Sequence, residues 1–516
     1  MKRSFPIAAA LISLFLMLLV VAIVVRNPTR DESSSSAVSA SRPPEIHGLI
    51  RASGNPVAGA RVRAKGSDIS TISDALGRFH LPLDLQSPHR VTAWKEGFLI
   101  GGCDADADNL RVDLQPLPGE DSAAYEWVDP RPNPDASMNC ANCHAEIYRE
   151  WSAGGHAHSA DGRYFRDLYG DDKSTTHASW NLLSEYPDGA GVCASCHAPT
   201  ANFNETLDLR EVQGIAAQGV HCDYCHKVTD AALGNLSLTH GRHGMQLLRP
   251  GHGQFFVGPL DDVDRGEDAY SLLYRQSKYC ASCHEGTVFG VHVYSTYSEW
   301  LASPAAKKDL QCQSCHMKPT GTMTNIAPGE GGIDRRPETL GNHVFFAGGK
   351  EAMLRQCLDL KIEVDRALGN VDVLTRLKAT GVGHRVPTGF IDRHLLLVVE
   401  AQDTHSRPVR NMTGPKLGPA AGKELEDKAG WLYARLVHLR NIPRPVPFWM
   451  ADHVVDDTRL APDESDVLHW VFPKDVETIK VALIYRPFWQ ETAQSKGWGN
   501  LDIVLREETV RVPNRR

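Results

Sequence analysis

The chain has 516 residues, 42% of them hydrophobic and 23% charged, with a formal net charge of −8. That length leaves room for two to four domains and ample apolar material for several cores. The acidic balance offers no basic surface, which argues against a nucleic-acid partner.

Residues 5–25 carry no charge and follow Lys2 and Arg3. A run of that length spans a bilayer, and the leading cations place the rest of the chain outside the cytoplasm. Residues 1–26 are therefore expected to be a signal anchor, a transmembrane helix holding the protein on the periplasmic face of the inner membrane. The alternative is a cleaved signal and a secreted or periplasmic chain, but Arg26 and Asn27 follow the apolar run where a small-residue cleavage site would stand. Residues 27–44, rich in Ser, Arg and Pro, are expected to be a flexible linker.

Residues 45–117 alternate apolar and polar positions over 46–50, 60–64, 77–83 and 89–94, with turn chemistry at Gly54-Asn55-Pro56 and Asp74-Ala75-Leu76-Gly77. This predicts a small β-sandwich. The stretch Gly54-Asn55-Pro56-Val57-Ala58-Gly59-Ala60-Arg61-Val62, with Ser73-Asp74 and Gly77-Arg78-Phe79, resembles the carboxypeptidase regulatory-like domain. That resemblance implies an accessory module without catalytic residues, used as a spacer.

Residues 138–350 hold ten of the twelve cysteines, in five Cys-x-x-Cys-His motifs. These are Cys140, Cys143 and His144; Cys193, Cys196 and His197; Cys222, Cys225 and His226; Cys280, Cys283 and His284; Cys312, Cys315 and His316. The spacing is that of c-type haem attachment, in which two thiols bond the haem vinyl groups and the adjoining imidazole reaches the iron. Zinc ribbons would use cysteine pairs two at a time and need no histidine after each pair. Five haems c are therefore the expected cofactors. A helix is predicted over 140–151, where Cys140, His144, Ile147 and Trp151 share a face. Elsewhere the segment reads as irregular, with porphyrin rather than side chains as its core. Cys103 and Cys357 remain, either paired with each other or as two separate thiols.

Residues 358–510 turn β-rich, with strands predicted over 358–364, 371–379, 395–401, 467–472, 479–485 and 501–506 and an irregular insertion from Pro415 to Asp452. The expected fold class is thus multidomain: an N-terminal β-sandwich, a largely irregular and α-helical pentahaem domain, and a C-terminal β-sandwich-like domain.

Six-coordinate haems need a second axial ligand each, and the many histidines make bis-His ligation the default. His156 stands five residues after Trp151. Here the sequence resembles the multihaem cytochromes related to hydroxylamine oxidoreductase and its tetrahaem electron-acceptor cytochrome. In them, a Cys-x-x-Cys-His helix followed by Trp and a histidine recurs, which implies that His156 is a distal ligand, with His158 as fallback. Gly383-His384-Arg385-Val386-Pro387-Thr388-Gly389 resembles the family's histidine-bearing turn and implies the same for His384. Gly341-Asn342-His343 matches a further ligand position. His177 and His240 complete five candidates, with His243, His252 and His221 as substitutes.

Tyr148-Arg149-Glu150-Trp151 after the first motif has a counterpart in Tyr297-Ser298-Glu299-Trp300 after the fourth. Five residues beyond Trp300 stands Ala305 rather than histidine. Either another histidine serves there, with His292 nearest, or one haem is five-coordinate. The leading expectation is electron transfer between redox protein partners. The alternatives are a haem oxidoreductase acting on a small nitrogen or sulfur oxyanion at an open haem, and a docking component of a redox complex.

Overall fold

The structure, a computed structural model, describes residues 45–82, 90–106, 109–171, 180–202, 207–235, 238–346, 349–439 and 445–513. The transmembrane anchor and the linker expected over residues 1–44 fall outside them. Among the described residues no helix is long and apolar enough to cross a membrane. The expected anchored localisation is corrected accordingly: among the described residues no membrane-spanning element supports it.

The N-terminal region folds as two small sheets face to face. Strand Glu45–Ala52 lies between Arg78–Pro82, antiparallel, and Asn109–Asp113, parallel. The second sheet runs Ser70–Ile72, Arg61–Ala64, Arg90–Trp94 and Gly101–Asp104, all antiparallel. Alternation puts Ile46, Ile50, Val62, Phe79, Leu81, Val91, Leu110 and Val112 between the sheets, each nearly devoid of exposure. Gly48 is required where it stands, because a Cβ there would strike the Phe79 ring and the Leu110 carbonyl.

This sandwich does not stand off as a spacer. It is fastened to the loop 261–264 by a set of ion pairs. Arg63 meets Asp261 at 3.1 Å, while Lys65 and Arg90 converge on Asp264 at 2.7 and 2.5 Å. Asp262 accepts the Gly66 N–H at 2.7 Å and pairs with Arg335 at 2.8 Å. Asp262 and Asp264 are almost fully buried. Exposed ion pairs contribute little, but carboxylates sequestered with two donors each hold a fixed geometry.

The central region carries short helices joined by irregular chain. The helix expected over 140–151 is two, Cys140–Cys143 and Ala145–Ser152, broken at His144 where φ is −111° and ψ is 47°. Two-stranded pieces such as Glu285–Val288 with Val291–Ser295 are the only sheets among its described residues.

In the C-terminal region, Leu358–Ala367, Asn370–Ala379 and Ser465–Phe472 form one antiparallel sheet. The hairpin turns on Leu368 and Gly369, with φ of 52° and 86°, a two-residue turn suited to strand twist. The second sheet is built on His394–Asp403, Val476–Arg486 and Ile503–Arg511. Within the insertion expected to be irregular, Gly430–Tyr433 pairs with His394–Asp403. Trp470, Phe472, Leu395, Val481 and Leu483 anchor the core. A second apolar cluster joins this region to the central one through Tyr169, Trp180, Trp449, Trp489 and Trp498. The three regions therefore pack as one compact unit, Pro44–Arg516.

Candidate haem-binding site

Each motif lies on or beside a single helical turn: Cys140–Cys143, Ala194–His197, Cys222–Cys225, Lys278–His284 and Cys312–His316. Residues three and four apart on a helix share a face, which holds for both thiols and the histidine in Lys278–His284 and Cys312–His316. All ten cysteines and all five histidines line one continuous cavity of about 2130 Å³. An ordinary small-molecule pocket encloses about 300–1,000 Å³.

The motifs are neighbours in an order unlike their order in the chain. The thiols of Cys140 and Cys222 lie close enough to perturb each other's ionisation, as do those of Cys196 and Cys283 and those of Cys280 and Cys312. The first motif thus abuts the third, and the fourth abuts both the second and the fifth. Cys225 lies near Cys280 and Cys283, which links the third motif to the fourth.

Four of the motif histidines have their Nδ1 against a backbone carbonyl. His144 meets Ile326 O at 2.7 Å, His197 meets Ser159 O at 2.6 Å, His226 meets Val257 O at 2.7 Å and His316 meets Phe345 O at 2.9 Å. A carbonyl only accepts, so each Nδ1 carries a proton, and in the neutral ring Nε2 then keeps its lone pair. This is the outer-shell arrangement of metal-ligating histidine. His284, also buried, is pushed down to about 3 by desolvation, with the nearby His156 and His316 adding to it. It is therefore neutral, the form that ligates.

Two candidate distal histidines face motif histidines. His156 and His284 have ring centroids 6.2 Å apart with planes at 77°. His316 and His384 are likewise 6.2 Å apart, with planes at 18°. Metal–imidazole bonds of about 2.0 Å on both sides of one ion put the two ring centres a little over 6 Å apart, so both separations suit a shared iron. Burial pushes His156 down to about 4 and His343 to about 3. His343 feels His226 most strongly among its histidine neighbours, then His144. The Nδ1 atoms of His343 and His240 are buried without a hydrogen-bond partner, and both residues line the cavity. Orphaned imidazole nitrogens, free thiols and neutral histidines on a largely apolar wall fit covalently held haem.

The remaining candidates separate. His177 lies outside the described residues. His158 is exposed and bound to Asp161 and the Ser152 carbonyl. His221 caps the turn Cys222–Cys225 and contacts Thr200 at 3.2 Å, a local structural role. His292 is engaged by Glu285 at 2.6 Å, so it does not fill the position of the missing histidine. His252 is exposed. Cys103 and Cys357 are both free thiols, so the alternative of a disulfide between them does not hold.

Ala305 marks a place taken from elsewhere. A Cβ on Gly383 would sit 3.3 Å from the Ala305 methyl and 3.1 Å from the Trp300 ring. The turn bearing His384 therefore packs directly over the site where the first unit has its own histidine. Two further residues were not foreseen from sequence. Glu150, 4% exposed, accepts the His343 backbone N–H at 2.8 Å. Glu299 accepts the Arg385 N–H at 3.2 Å and the Thr388 hydroxyl at 2.9 Å, and pairs with buried Arg459 at 2.7 Å. The repeated Tyr-x-Glu-Trp stretch was the available signal.

Residues 139–227 match the family described as cytochrome c554 and c-prime. The chain is similar in structure to a penta-haem cytochrome c552 from Thermochromatium tepidum. Identity is 21%, the TM-score is 0.53, and the match covers 72% of this chain and 97% of that one. At that identity the likeness concerns the fold. A second structure, a type II cohesin–X-dockerin complex from Acetivibrio cellulolyticus, is 16% identical over 13% of this chain and 51% of that one, with a TM-score of 0.12. That likeness carries no weight. No curated protein matches. The family match and the fold likeness support a multihaem c-type cytochrome that transfers electrons through haem.

Proposed function

We propose that the chain holds five haems c, mostly with two histidine ligands each, and relays electrons between redox proteins of a periplasmic respiratory chain. The observation that carries this reading is the convergence of all five motifs on one cavity. Haem c supplies reversible one-electron chemistry. The chain's part is to fix position and ligation. Cys140, Cys143, Cys193, Cys196, Cys222, Cys225, Cys280, Cys283, Cys312 and Cys315 are the tethers. His144, His197, His226, His284 and His316 are the proximal ligands. His156 with His284, and His384 with His316, would each hold one haem. His343 would hold a third, with His226 and His144 among its neighbours. His240 is the fourth distal candidate among the described residues.

The contacts between motifs suggest a path from the first through the third to the fourth, where it branches to the second and fifth. The alternative of an oxidoreductase working at an open haem draws on Ala305; the packing of the His384 turn against Ala305 supports the relay reading instead. The test is the oxidised holoprotein: mass spectrometry should find five haems attached, and electron paramagnetic resonance should find them low-spin. Fewer than five adducts, or a dominant high-spin signal that binds cyanide, would overturn the reading.

A further inference from the structure

The outer face of the N-terminal sandwich gathers three metal-ligating side chains outside the cavity of the motifs. Glu45 and His47 are two apart on strand Glu45–Ala52, so both side chains leave on the same face. The antiparallel register sets His80 directly opposite His47, and directly opposed residues share a face. The other face is the core side, where Ile46 and Leu81 are fully buried. Sheet geometry alone thus brings one carboxylate and two imidazoles together at the surface.

The side chains then converge. His47 Nδ1 and His80 Nδ1 are 2.7 Å apart, with ring centroids at 4.6 Å and planes at 85°. One ligand atom from each of Glu45, His47 and His80 lies within 4.8 Å of the others. None of the three lines the cavity of the motifs.

We propose that Glu45, His47 and His80 form a binding site for a divalent cation of the zinc class, with the remaining coordination positions open to water. Two nitrogens and one carboxylate suit Zn²⁺ and its borderline neighbours; calcium and magnesium take oxygen ligands. Tetrahedral zinc with bonds of about 2.0–2.1 Å holds two nitrogens about 3.3 Å apart. The rings need to part by roughly half an ångström, a small χ adjustment for side chains on a solvent face. A simple N–H···N hydrogen bond between the imidazoles would account for two of the residues and leave the approach of Glu45 without a role.

The test is calorimetric titration of Zn²⁺ into the full-length holoprotein and into His47→Ala, His80→Ala and Glu45→Gln. One zinc should bind the parent protein. Each histidine variant should weaken binding at least about tenfold and Glu45→Gln severalfold, since losing one ligand of a small set removes a bond the others do not replace. Anomalous difference maps collected on both sides of the zinc edge should place a peak between His47 and His80. Unchanged haem absorption and circular dichroism would show that the variants fold. No binding at millimolar zinc, or binding equal in all three variants, would overturn the site.

Discussion

The two histidine pairs predict different magnetic signatures, because their planes meet at different angles. Each axial imidazole donates π density into the iron d orbital normal to its ring. Two equal donors acting on the same degenerate pair add as vectors of doubled angle, so the net splitting scales with the cosine of the interplanar angle. For His316 and His384 at 18° the factor is about 0.95, and for His156 and His284 at 77° it is about 0.22. The splitting is therefore about four times larger at the first pair. Low-temperature electron paramagnetic resonance of the oxidised protein should show an ordinary rhombic low-spin spectrum from one haem and a strongly anisotropic one, with a much larger maximum g, from the other. His384→Ala should remove the rhombic component and His156→Ala the anisotropic one. In each case one haem, about a fifth of the total, should become high-spin. If either variant retains the parent spectrum, that pairing is wrong. If the two variants remove the opposite components, the inferred link between plane angle and splitting fails.

Two further outcomes test the frame that holds the cavity. Lys227 and Asp223 are an ion pair with both side chains fully buried, and Asp223 also accepts the Val128 N–H at 2.8 Å and the Tyr125 hydroxyl at 2.9 Å. Asp223→Asn should cost about 3–5 kcal/mol, read as a lowered unfolding midpoint of the holoprotein, and adding Lys227→Met should restore most of it. Asp392 is 1% exposed with neither carboxyl oxygen hydrogen-bonded, and burial pushes it up to about 8. The native state therefore holds a proton that the unfolded chain releases near pH 4, so this group's contribution to stability falls as pH rises from about 4 to 8. Asp392→Asn should remove up to about 1.4 kcal/mol per pH unit of that slope, measured by denaturant melts at pH 5, 6 and 7; an unchanged slope would show that Asp392 is ionised in the fold.

What could be read from sequence was local chemistry. A Cys-x-x-Cys-His motif spans one helical turn, so its meaning survives without knowledge of the fold. Strand alternation in the two β regions was legible for the same reason, since a period of two needs only a few residues. His156 was singled out because it follows its own helix, and the structure sets it beside His284. His384 came into view through the motif around it, but its partner did not, because that turn reaches His316 only once the C-terminal sheets have formed. The ion pairs that dock the N-terminal sandwich were invisible for a related reason. Lys65 and Arg90 meet Asp264 from 199 and 174 positions away, and nothing in a run of acidic loop residues says which cations it will find. Ala305 illustrates the limit of a repeat: the missing histidine left two readings open, and the segment that packs there, the His384 turn, comes from far along the chain.

The same repeat points to a division of labour within each unit. Glu150 and Glu299 occupy equivalent places in Tyr-x-Glu-Trp, and each receives a backbone N–H from a remote histidine segment, His343 in one case and the Arg385 that follows His384 in the other. A carboxylate suits this place because both its oxygens only accept. Glutamine has the same shape but turns one oxygen into a donor. At position 299 that donor would face the Arg385 N–H, the Thr388 hydroxyl or the Arg459 guanidinium, all donors to the native carboxylate. Glu299→Gln should therefore loosen the His384 turn while leaving His384 itself in place. The expected reading is a broadened and shifted rhombic component with partial high-spin character, and no change in the anisotropic component assigned to His156. Glu150→Gln should disturb the haem served by His343 and spare the rhombic signal. If both variants lowered the unfolding midpoint yet left every resonance where it was, the glutamates would be ordinary buried acceptors and the repeat would carry no positioning role.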